Sequence, residues 1–82
     1  MSKPLELQVA PLVERIGPIL AGKNPSVQGA VLADLVATWV AGHVIRGDRT
    51  TTDEMRAKII ECHIQAVREF IPLNAKLLGT DR

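Results

Sequence analysis

The chain has no tyrosine, one tryptophan, one phenylalanine and one cysteine among its 82 residues. Each shortage excludes something. Binding single-stranded nucleic acid by base stacking needs several exposed aromatic platforms, and only Trp39 and Phe70 are available. The lone Cys62 cannot form an internal disulfide, which points to a reducing compartment. Neither sign of charge dominates: ten Lys and Arg stand against nine Asp and Glu, a net of +1. Nucleic acid is therefore not an expected partner, because phosphate neutralisation needs a basic surface. The longest apolar stretch, positions 29–45, is interrupted by Asp34, Thr38 and His43 and falls short of the roughly 20 residues of a membrane span. The opening MSKPLELQVAP carries no apolar run of signal-peptide length. These readings describe a cytoplasmic protein that does not enter a membrane.

What is abundant is aliphatic. Hydrophobic residues make up 46% of the chain, mostly Ala, Val, Leu and Ile, a composition suited to close helix packing. A domain of this size hides only about 60% of the surface its unfolded form exposes, so its own core is thin. Leftover apolar surface calls for a partner, and a closed homodimer is the commonest way to supply one.

Pro4, Pro11, Pro18 and Pro25 fall seven apart. An interior proline forfeits a helical hydrogen bond and costs about 3 kcal/mol, so an unbroken helix through Pro11 is not expected. The reading is a loosely ordered segment over 1–9 and a first helix over about 11–21, kinked at Gly17-Pro18. Asn24 is a good N-cap and Pro25 suits the first helical position, opening a second helix over about 25–46 that Gly47 closes in the left-handed conformation. Thr51 and Glu54 have capping-box spacing, which starts a third helix over about 52–71, ended by Pro72. Leu73 to Leu78 add a short helical tail. The expected fold is all-α: a single domain over 1–82, built as a three-helix antiparallel bundle and completed by homodimerisation.

Residues 17–24, GPILAGKN, imitate a phosphate-binding loop. That loop needs a preceding strand, a Ser or Thr after the Lys, and free amides at the following helix. Here LVERI before it is helical in pattern, Asn24 occupies the hydroxyl position, and Pro25 removes a donor. Gly22 ending one helix and Asn24 starting the next explains the motif better. Arg46-Gly47-Asp48 spells an adhesion tripeptide, and a turn accounts for it.

The third helix gathers Lys58, Glu61, Gln65, Arg68 and Glu69 on one arc, at about 100° per residue. His63 lies opposite that arc, facing inward among Ile59, Ile60, Ala66, Val67 and Phe70. In the second helix Asp34 and Thr38 interrupt a strip of small residues, while Leu32, Leu35, Val36, Trp39 and Val40 share another side and are the interface candidates. With Ile45 opposite Thr52 in an antiparallel hairpin, Asp34 comes level with His63. A buried Asp34–His63 hydrogen bond, within the chain or across a dimer axis, is expected as a structural pair that sets helix register. The same pair read catalytically makes His63 a general base oriented by Asp34, with Cys62 nearby but about 100° round the helix. Metal sites in helical bundles show inward ligands at i, i+3 or i, i+4, and no such spacing surrounds His63, so no metal or cofactor is expected.

The function these features favour is a small interaction or accessory module. It acts through apolar helix-helix contacts with its own copy or with another protein. Two alternatives stand beside it. One is a helix-turn-helix-like DNA-binding regulator with Arg46, Arg49, Arg56 and Lys58 near the backbone. The other is a minimal enzyme using Asp34 and His63.

Overall fold

A computed structural model of the chain describes residues 4–82. It is all-helical, with α1 over Leu5–Leu20, α2 over Pro25–Ala41 and α3 over Arg49–Leu78, and no strand among the described residues. The chain divides into two compact units, one ending at Asp34 and the other Leu35–Arg82.

In the first unit α1 begins at Leu5, well before the expected start at Pro11, and keeps both Pro11 and Pro18 inside it. Residues 5–9 are thus helical, not loose; positions 1–3 of that expected segment lie outside the described residues. The physical reason lies in the seven-residue interval. At about 100° per residue Pro11 and Pro18 share one side of α1, opposite an arc carrying Leu5, Val9, Leu12, Val13, Ile16 and Ile19. The carbonyls they leave unpaired belong to Leu7 and Glu14, exposed residues where water can serve as donor. The α1 to α2 turn follows the expected chemistry. Gly22 is left-handed at φ 77°, and the Asn24 Oδ1 accepts from the Ser26 amide at 2.8 Å. The Gln28 side-chain amide donates to the Leu20 carbonyl at 2.8 Å, joining the two helices across the turn. GPILAGKN is accordingly the end of a helix and a turn, with no strand before it.

In the second unit α2 stops at Ala41, short of the expected residue 46, and residues 42–48 form a connection. Gly47 is left-handed at φ 79° as expected, but it serves that connection instead of closing α2. Asp48, not Thr51, caps α3: its carboxylate accepts from the Thr51 amide at 2.9 Å and the Thr51 hydroxyl at 2.7 Å. An aspartate with extended backbone three residues before a donor competes successfully with the Thr51–Glu54 box. Pro72 does not end α3 either. It lies on the polar arc of Lys58, Glu61, Gln65, Arg68 and Glu69, so the Arg68 carbonyl it strands is on an exposed residue, and the expected tail is one helix with the rest. Gly79, left-handed at φ 73°, closes it, donating its amide to Ala75 and Lys76 carbonyls.

Thr52 and Val40 are the buried side chains among the described residues, at 4% and 6% exposure. The Thr52 hydroxyl accepts from the Ile45 amide at 2.9 Å, and its single proton lies between the carbonyls of Asp48 at 2.8 Å and Ile45 at 3.1 Å. One side chain thus satisfies a connection that has left helical geometry, where backbone groups would otherwise be orphaned.

Candidate functional site

The densest group of chemically distinctive side chains lies where the end of α2 meets the first half of α3. Trp39 and His43 are one helical turn apart, and the His43 Nδ1 is 2.8 Å from the Trp39 carbonyl oxygen. The His43 ring stands edge-on to the indole, with centroids 5.7 Å apart. His63, half-buried on α3, meets the indole with centroids 5.2 Å apart and planes tilted by 58°. Trp39 is therefore contacted by two imidazoles. Lys58, Ile59 and Cys62 join Trp39 and His63 around an open depression of about 390 Å³.

Arg56 completes the arrangement. Its Nε donates to the His43 carbonyl at 3.0 Å and an Nη to the Ala41 carbonyl at 2.8 Å. These are among the last carbonyls of α2 and its connection, where the helix dipole favours a cation. Arg56 sits on the apolar side of α3, and its stem carries the guanidinium along the packed surface to reach them. Arg46 and Arg49 are exposed in the neighbouring turn and at the start of α3, and Lys58 is exposed nine residues further along α3.

The expected acid-imidazole hydrogen bond is not made within the single chain. Within one chain Asp34 is exposed, and its side chain has no hydrogen bond among the described residues. The neighbour of His63 is Trp39. The register begins as anticipated, with Thr52 bonded to Ile45. From there His63 is eleven residues along α3, whereas Trp39 is only six residues back from Ile45. The early end of α2 explains the difference. Eleven helical residues rise about 16 Å at 1.5 Å each. Residues 42–45 lie outside α2, so the connection does not keep the regular rise from which the level of Asp34 follows.

Of the interface candidates, Val40 is buried and Val36 half-buried, whereas Leu32, Leu35 and Trp39 are about half exposed, at 49%, 55% and 48%. Cys62 is a free, exposed thiol. Among the described residues no group of three or more His, Cys, Asp or Glu side chains is placed to hold a metal ion. No helix is long and apolar enough to cross a membrane. Donation by the Thr51 amide, then by its hydroxyl, holds the Asp48 carboxyl below its usual value of 3.8.

Sequence reasoning missed Thr52 as the residue that ties the connection. The only available signal was the run Thr50-Thr51-Thr52, in which nothing distinguishes a capping hydroxyl from a bridging one. The chain matches no protein-family model, no curated protein and no solved structure.

Proposed function

We propose that this protein is a small helical interaction module that works as a homodimer, its helices completing a bundle with those of a second copy. One observation carries the reading: the apolar side chains are outside. Val40 is the one buried apolar residue among those described, while Leu5, Leu12, Val13, Ile19, Phe70 and Ile71 are more than half exposed. Burying a side chain of this kind contributes about 1.5–3 kcal/mol, so covering several of them is worth more than the thin internal core. Exposed apolar patches of this extent mark interaction surfaces. The near-zero net charge leaves no long-range repulsion between copies.

Sedimentation velocity across the micromolar range tests the reading. A dimer that dissociates only on dilution is the expected result. A chain that remains monomeric at every concentration overturns it.

A further inference from the structure

The proposed homodimer does not by itself say which surface pairs, and α3 points to one. Side chains of α3 that meet the end of α2 and its connection are Thr52, Arg56 and His63, at intervals of four and seven. About 70° round the helix runs a second row with coiled-coil spacing: Ile60, Ile64, Val67 and Ile71, at 42%, 44%, 44% and 60% exposure. Intervals of four, three and four keep such a row facing a partner helix over its whole length. Glu61 and Arg68, both exposed, flank this row on the same edge, seven residues apart, and neither has a side-chain partner among the described residues.

We infer that two copies pair through this row, α3 against α3 in opposite directions, about a twofold axis between Ile64 and Val67. The inference rests on the homodimer reading. Antiparallel packing sets each interior position of one helix beside the alternate position of the other. The register that stacks Ile64 on the partner's Val67 also stacks Ile60 on the partner's Ile71. The same register places Glu61 beside the partner's Arg68, and the axis repeats that pair, so both edge contacts join opposite charges. A parallel pair loses these matches. It also sets isoleucine against isoleucine at both kinds of interior position, which favours three or four strands over two. The charge pattern is therefore complementary to itself in one direction only, which selects a second copy as the occupant.

Four full-length proteins test this: the original, Glu61→Arg, Arg68→Glu and the double exchange, compared by sedimentation at several salt concentrations. Both residues are outside the contacts that join α3 to α2, and circular dichroism checks that helicity is kept. Each single reversal sets like charges together twice and is expected to weaken dimerisation at least about fivefold at low salt. The double exchange restores it to within about twofold. Four equally stable dimers overturn this surface while leaving the homodimer intact. Single variants that weaken without rescue by the double exchange overturn the antiparallel register. A monomeric original overturns both readings.

Discussion

Thr52 and Asp48 hold the α3 start by different means, and they respond differently to change. Thr52→Val preserves shape but strips the hydroxyl, leaving the part-buried Ile45 amide without its acceptor, and is expected to cost about 1 kcal/mol in urea denaturation. Thr52→Ser restores most of that loss. Asp48 is fully exposed, so its effect is small and shows best in its pH dependence. Its folded-state carboxyl is held below its ordinary value, so the ionised cap stabilises the fold above pH 3.8 and the contribution disappears as pH falls through the lower folded value. Asp48→Ala should lower Tm at neutral pH, with the gap to the original protein narrowing as the pH drops below that point. A gap that stays constant into strong acid contradicts the capping role. Arg56 is the residue whose position the sequence made visible and whose purpose it did not. Its place on the apolar side of α3 follows from periodicity, but the carbonyls it binds exist as acceptors only because α2 stops at Ala41.

At the scale of whole elements, prolines decide what was misread. A proline inside a helix removes one hydrogen bond whatever its position, and sequence reasoning treats it as a boundary. In α1 and α3 the prolines lie opposite the apolar arcs, where the stranded carbonyls belong to exposed residues. Pro72→Ala is accordingly expected to leave the helix boundaries unchanged. It should raise stability by at least about 1 kcal/mol, because α3 regains the Arg68 carbonyl bond. A fall in Tm would mean that the proline is required where it stands. The starts of α2 and the turn glycines were legible because their chemistry is local: Asn24, Pro25, Gly22 and Gly47 each act within a few residues of themselves. The end of α2 was not, because Gly42 to Ile45 are compatible with a helix and leave it only where Thr52 and Arg56 arrive to satisfy the backbone.

For the molecule as a whole, the balance between apolar residues and apolar burial is the controlling fact. A chain that is 46% hydrophobic yet buries one apolar side chain among its described residues leaves much of its stabilising surface unused within the single chain. If association covers that surface, stability depends on concentration. Tm is expected to rise by several degrees from 1 to about 100 μM protein, since binding adds to the stability of the folded state alone. A Tm independent of concentration would mean that the folded monomer is sufficient.

Helical class, the presence of three segments and the cap at Asn24 follow from residue types and their spacing, because each depends on contacts within a few residues or on periodicity along one helix. The partner of His63 does not. It depends on where α2 ends, and that is set by a hydroxyl and a guanidinium arriving from another helix. With α2 ending at Ala41, Trp39 meets His63, so only the folded structure decided which side chains meet.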